Sequence, residues 1–235
     1  MSGRLYLLPA PLSEDTPPEA VVPGPVLLRI RALDRFIVEN AKSARAWMRA
    51  CGHPKALREI AMSELNEHTP AAAIGALLDP IAQGKDTGLL SEAGMPAVAD
   101  PGAALIAAAH ERRIAVVPCV GPSSILLALA ASGLEGQRFR FVGYLPADAA
   151  GRRDALVEIE KRSARDRETQ IFIETPYRND ALLADALKSC RATTRLAVAA
   201  ELTSPREWIV MDTVAGWRKR VATIGKRAAI FLLAA

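Results

Sequence analysis

Short apolar runs alternate with stretches of helical spacing through the first half of the chain. Leu5 to Leu8 predicts a buried strand, closed by Pro9 and Pro11. Residues 9–25 carry six prolines and the acid pair Glu14-Asp15, a pattern that predicts an irregular loop. Val26 to Leu33 has helical spacing, Arg35 to Asn40 reads as a strand, and Lys42 to Cys51 as a helix stopped by Gly52 and Pro54. Glu59 to Leu65 is a third strand. Thr69-Pro70 offers an N-cap and a proline at the first helical position, opening a helix to about Gln83. Thr87 to Leu90 is a fourth strand, running into the Gly/Pro-rich segment Ser91 to Gly102. A helix to Arg113, the strand Ile114 to Val117 and a helix over Ser123 to Ser132 follow.

Strands separated by helices predict βαβ units and a mainly parallel sheet. The pattern changes after Gly133. Phe139 to Tyr144, Thr169 to Glu174, Leu196 to Ala200, Glu207 to Asp212 and Ala228 to Leu233 read as strands, with helices near 152–164 and 178–190. The last two lie close to their predecessors, so part of this sheet is expected to be antiparallel. The fold class is therefore α/β in two domains. Residues 1–135 form a parallel sheet with helices on both faces; residues 136–235 form a mixed sheet with helices.

Composition narrows the function classes. Half of the 235 residues are hydrophobic but only 5% are aromatic, so the core must be aliphatic. No apolar run approaches the roughly 20 residues of a membrane span. Met1-Ser2-Gly3-Arg4 leads straight into a strand without the apolar stretch of a signal peptide, which predicts a cytoplasmic protein. Cys51, Cys119 and Cys190 are scattered, as in a reduced compartment, and share no ligand spacing with His53, His68 and His110; no metal site is expected. The net charge is +4, with basic residues concentrated in the C-terminal half at Arg152-Arg153, Lys161-Arg162, Arg165, Arg167, Arg218-Lys219-Arg220 and Lys226-Arg227. Interleaved acids such as Glu158 and Glu168 make a solvated surface one reading; an anionic partner such as RNA is the other.

Candidate chemistry follows from where the irregular segments fall. Open α/β sheets bind ligands outside the carboxyl ends of their strands. Pro9 to Pro11, Ser91 to Gly102 and Pro118 to Ser124 all leave such ends, and together they can line one crevice. Glu92 is the acid positioned to accept hydrogen bonds from ribose hydroxyls or an ammonium group; alternatively it caps a turn. Ser123 and Ser124 open a helix whose free N–H groups suit an anion, or are plain caps. Glu174, Thr175 and Arg178 end a strand in the second domain, facing a crevice or merely pairing at the surface. The chain lacks the dinucleotide fingerprint, the Walker loop and the nucleophile elbow.

Ser91 to Gly102 (SEAGMPAVADPG) resembles the S-D-A-G-x-P-x-x-x-D-P-G signature of the tetrapyrrole-methylase superfamily, and within it the bacterial small-subunit ribosomal RNA 2′-O-methyltransferases. Pro118 to Ser124 is similar to that branch's P-x-P-G-P loop, Gly143-Tyr144-Leu145-Pro146 with Gly151-Arg152-Arg153 to its G-F-L-P…G-R-R, Glu174 to Arg178 to its E-S-x-x-R, and Glu201-Leu202-Thr203 to its E-L-T. The resemblance runs in order from Leu5 to Leu233. It implies two α/β domains, a homodimer, and S-adenosylmethionine held between the domains. By position it assigns the cofactor to Leu8, Pro9, Glu92, Met95, Ser123 and Ser124, with Thr175, Leu202 and Gly225 from the second domain. Two loops depart from the branch: Pro9-Ala10-Pro11-Leu12-Ser13-Glu14 stands for P-T-P-I-G-N, and Glu39 to Arg45 for E-D-T-R. Both line the acceptor side.

A methyltransferase acting on ribosomal RNA is thus expected. The alternatives are a tetrapyrrole or other small acceptor, and a non-catalytic S-adenosylmethionine-binding protein. Glu39, Glu67, His68 and Arg45 are candidate bases by location alone, and no catalytic residue is singled out.

Overall fold

The protein is described here from a computed structural model covering residues 2–220 and 222–235. It divides into two compact units, Met1–Ser123 and Ser124–Ala235. The division falls ahead of the change in element pattern near residue 135, because the helix over Ser124–Ser132 packs on strands of the second unit. No helix among the described residues is long and apolar enough to cross a membrane.

The first unit runs β1 (Arg4–Leu8), α1 (Pro18–Val21), α2 (Gly24–Ala32), β2 (Arg35–Val38), α3 (Ala41–Ala50), β3 (Ala61–Glu64), α4 (Ala71–Leu77), α5 (Asp79–Ala82), β4 (Thr87–Leu90), α6 (Ala103–Glu111) and β5 (Ala115–Pro118). Its five strands are all parallel, in the order β3-β2-β4-β1-β5. Side chains alternate between the faces, as the period of two demands. Tyr6, Leu8, Phe36 and Val38 pack with Leu27, Ile30 and Trp47 on one side; Leu5, Ile37 and Leu89 pack with Leu78, Ile81 and Leu105 on the other. α2 and α3 on one face and α4, α5 and α6 on the other thus cover a sheet whose carboxyl edge is left to loops.

Two local expectations change. The proline-rich segment holds the short helix α1, because Pro18 stands at its start, where a fixed φ and a missing N–H do no harm. The helix expected from Thr69 to Gln83 breaks into α4 and α5 at Leu78. Pro80 has no N–H to give back to Ala76, so the ladder cannot continue. Thr69 is also not the cap: Pro70 occupies that position, and the Thr69 hydroxyl accepts the Asn66 N–H at 3.0 Å.

The second unit runs α7 (Ser124–Ser132), β6 (Phe139–Tyr144), α8 (Ala149–Asp166), β7 (Thr169–Ile173), α9 (Asn179–Ser189), β8 (Arg195–Ala200), β9 (Trp208–Thr213), α10 (Val214–Trp217) and β10 (Ala229–Ala234). Strand order is β6-β7-β10-β8-β9, with β6 and β7 parallel and the remaining pairs antiparallel. Its core joins Leu156, Phe172, Leu182, Val198, Trp217 and Phe231, with the Phe172 and Phe231 rings stacked at 5.7 Å. The mixed sheet expected from the close spacing of the last strands is present.

Candidate active site at the strand ends

The three Gly/Pro-rich segments leave β4, β1 and β5, which are neighbours in the sheet. Parallel strands put their carboxyl ends side by side, so the loops must meet. They do so through the main chain. Ala10 N–H donates to the Gly94 carbonyl at 2.8 Å and Gly94 N–H returns a bond to Ala10 at 3.2 Å, joining the loops after β1 and β4. On the other side Gly121 lies so close to Pro9 that an added Cβ would fall within the proline ring. Leu8 is fully buried and Pro9 is buried, whereas Met95 and Ser123 are half-buried. Ala97 and Ala99, in the loop after β4, hold φ of 66° and 65°. Two non-glycine residues in the left-handed region of one loop are strain of the kind that clusters at functional sites.

Carboxylates gather on this edge. Glu39 follows β2, and its Oε2 accepts the Glu92 N–H at 3.3 Å; Glu92 Oε1 accepts the Ser43 hydroxyl at 3.2 Å. Burial pushes Glu39 up from the ordinary carboxylate range, the Glu92 N–H works against that, and the Glu92 and Glu67 charges add to it. Asp100 is raised to about 6, first by burial and then by the charge of Glu39, with the Ser91 hydroxyl and Glu92 contributing in opposite senses. A carboxylate with such a value is suited to proton transfer near neutral pH. Asp100 was missed in the sequence because it sits deep in the signature segment, where Pro101 and Gly102 draw attention to the turn. An acid inside a Gly/Pro loop was the available signal. Of the other candidate bases, Glu67 and His68 are exposed and lie 3.6 Å from each other, and Arg45 is exposed on α3.

The shift of Asp100 has a testable sign. Its folded-state value, about 6, lies above the ordinary 3.8, so the cost of its charge is absent below the lower value and appears as pH rises through the upper one. Asp100→Asn is therefore expected to raise the melting temperature at pH 7.5 and to leave it unchanged at pH 3.5. An equal effect at both pH values would mean that the carboxylate is not desolvated in the fold.

Between α3 and the loops after β1 and β4 lies a cavity of about 220 Å³, lined by Pro11, Glu14, Ser43, Trp47, Ser91 and Glu92 among others. Asn40 caps α3, accepting the Lys42 and Ser43 N–H groups, which fixes Ser43 beside Glu92.

The second unit forms its own cluster. Because β10 runs antiparallel to β7 and β8, its start lies beside their carboxyl ends. That geometry brings Thr175, Leu202 and the Gly225 loop to one end of the sheet. Asn179 Nδ2 donates to the Gly225 and Arg227 carbonyls at 3.1 and 2.7 Å, and Asp180 accepts the Ile224 N–H at 2.7 Å. Glu174 is wholly buried. Burial opposes its charge, but Arg178 at 2.7 Å and the Thr175 N–H and hydroxyl outweigh that and hold its carboxyl below the ordinary range. Glu174 Oε2 and Asn179 Oδ1 remain buried without partners, acceptors of the sort a ligand's donors would satisfy. Leu202 is buried between Glu201 and Thr203, whose φ values of 51° and 68° mark a second strained turn. Ser124 opens α7 and is half-buried. Among the described residues no three His, Cys, Asp or Glu side chains are grouped to hold a metal.

A family model described as tetrapyrrole (corrin/porphyrin) methylases matches residues 26–216. A relative from Micromonospora olivasterospora, named ribosomal RNA small subunit methyltransferase I, is 35% identical over 185 residues, 78% of this chain and 55% of that protein. A relative of the same name from Mycobacterium bovis is 32% identical over 219 residues, 92% of this chain and 73% of its own length. Among solved structures, diphthine synthase superposes with a TM-score of 0.69 over 100% of this chain and 90% of that one; at 16% identity the likeness shows the fold.

Proposed function

We propose, from the premise that this chain belongs to the tetrapyrrole (corrin/porphyrin) methylase family, that it transfers a methyl group from S-adenosylmethionine to RNA, with small-subunit ribosomal RNA as the acceptor. Methyl transfer is the chemistry of the family, and the relatives' names support the acceptor. The single observation that carries the reading is the edge at β4, β1 and β5, where the three loops meet and the carboxylates Glu39, Glu92 and Asp100 lie close enough to act on one another.

The residues present suit this cofactor. It carries an ammonium and a sulfonium, which acidic side chains favour, and a carboxylate, which suits the free N–H groups at the start of α7 just after Ser123. A sulfonium methyl is already electrophilic. The protein's task is then alignment, which contributes on the order of 7–11 kcal/mol when reacting atoms are held in line. Glu92, exposed and fixed through its N–H to Glu39, holds the cationic groups. Asp100, ionised at pH 7, is assigned to receive the acceptor's proton.

Methyl transfer from labelled cofactor tests the reading. Label is expected in small-subunit ribosomal RNA prepared from cells lacking this protein. Label in tetrapyrrole extract instead would move the acceptor to the small-molecule class, and label in neither would leave a binding protein without catalysis.

A further inference from the structure

Part of the basic charge that the sequence concentrates in the C-terminal half is neutralised within the second unit. In the second unit Arg140 pairs with Glu168, Arg152 and Arg153 with Asp185, Arg165 with Asp166, Arg191 with Glu160 and Arg220 with Asp212. A further group of cations lies on the first unit. Lys42, Arg45 and Arg49 are all exposed on α3, and Arg58 is exposed in the 3-10 turn that follows. Among the described residues none of these four lies within ion-pair distance of a carboxylate.

Their placement is regular. At 100° per residue, Lys42, Arg45 and Arg49 fall within a sector of about 60° on α3. From Lys42 to Arg49 the helix advances about 10 Å, enough to meet two or three successive phosphates of a nucleic-acid strand. Arg49 then opens onto a groove of about 400 Å³ shared with His53, Lys55 and Arg58. The acids nearby are Asp34, already bonded to Lys55 at 2.7 Å, and Glu59 next to Arg58.

The same helix turns its adjoining face to the cavity beside the strand ends. Ser43, Ala46, Trp47 and Ala50 line it from α3, and Ser91 and Glu92 from the loop after β4. Trp47 is 6% exposed, yet its indole Nε1–H has no hydrogen-bond partner. A buried donor left unpaired costs about 1–3 kcal/mol. Such a donor in the wall of a cavity points to a ligand that completes it.

We propose that α3 is the backbone track for the RNA acceptor. Phosphates of a single strand lie along Lys42, Arg45, Arg49 and Arg58, and one base enters the cavity between α3 and the loops after β1 and β4. Cations outside and carboxylates within sort the two parts of a nucleotide: phosphate is drawn to the helix and repelled by Glu14 and Glu92, while a base edge offers an acceptor to the Trp47 N–H. This inference rests on the RNA acceptor proposed above.

The test measures binding of a small-subunit ribosomal RNA fragment between 50 and 200 mM salt. It compares the intact chain with the Lys42→Ala/Arg45→Ala/Arg49→Ala variant. Alanine is the best helix former, so α3 persists. Loss of three phosphate contacts weakens binding by on the order of 10²-fold at 50 mM salt and lowers the salt slope by about 2. Affinity for S-adenosylmethionine, measured by calorimetry, stays unchanged. Trp47→Phe keeps an aromatic side chain, loses the donor, and weakens RNA binding about tenfold without altering the salt slope. Unchanged RNA affinity and slope in the triple variant, with the intact chain binding RNA, would overturn the track and leave the acceptor standing. Failure of the intact chain to bind RNA at any salt would overturn the acceptor and the track together.

Discussion

Asp185→Ala lowers the stability of the second unit by about 3–5 kcal/mol, read as an earlier urea transition. Arg152, in the first turn of α8, and Asp185, on α9, are 6% and 8% exposed and lie 2.6 Å apart. Arg152 Nε also donates to the carboxylate at 2.8 Å, and its third nitrogen reaches the Ala147 carbonyl at 2.9 Å. Removing Asp185 leaves a guanidinium inside the protein with one neutral acceptor. Breaking such a pair is expensive because an uncompensated charge stays buried, whereas replacing both partners removes the problem. Arg152→Met/Asp185→Leu is therefore expected to regain most of the loss. A loss below about 1 kcal/mol for the single variant would mean that water reaches Arg152, and that the pair does not tie α8 to α9.

That pair also shows where sequence inspection stopped short. Arg152-Arg153 stands in a basic run and was a candidate for meeting an anionic partner, yet Arg152 is buried against a carboxylate 33 residues away. Periodicity cannot reveal a partner on another helix. The same blindness hid the α3 track: Lys42, Arg45 and Arg49 are dispersed in the sequence, and only their 100° spacing and their lack of an ion pair among the described residues make them a surface. The strands fared better, because each is a short apolar run bounded by Gly, Pro or polar residues. The order β3-β2-β4-β1-β5 was not legible, since it depends on which crossovers pass over which strands.

The candidate site divides in the same way. Glu92 and the three loops stood out because glycine and proline punctuate the chain there. Asp100 and Trp47 did not. One matters through burial beside two other carboxylates, and the other through an indole N–H with no acceptor. Neither property is local. Glu174 and Arg178 appeared together in the sequence with two readings, a crevice group or a surface pair. The structure has them paired, but with Glu174 fully buried and one of its oxygens unsatisfied, so the contact is not an ordinary surface bridge.

Gly121→Ala is expected to cost about 1–3 kcal/mol in stability and to weaken S-adenosylmethionine binding about tenfold or more. The β-carbon would overlap the Cβ and Cγ of Pro9, forcing the loops after β1 and β5 apart. Those loops carry the main-chain groups and the Ser123 turn assigned to the cofactor, and a displacement near 1 Å is enough to spoil such a fit. Because the obstacle is one ring, it can be taken away. Pro9→Gly removes both atoms that the new methyl would meet, so Pro9→Gly/Gly121→Ala should bind more tightly than Gly121→Ala alone. The coupling between the two sites, obtained from a double-mutant cycle in calorimetry, should be at least about 1 kcal/mol in the favourable sense. Two variants whose effects simply add would show that the loops do not meet through this contact. The opening at the end of β1 would then have to be shaped by the Ala10–Gly94 bonds alone.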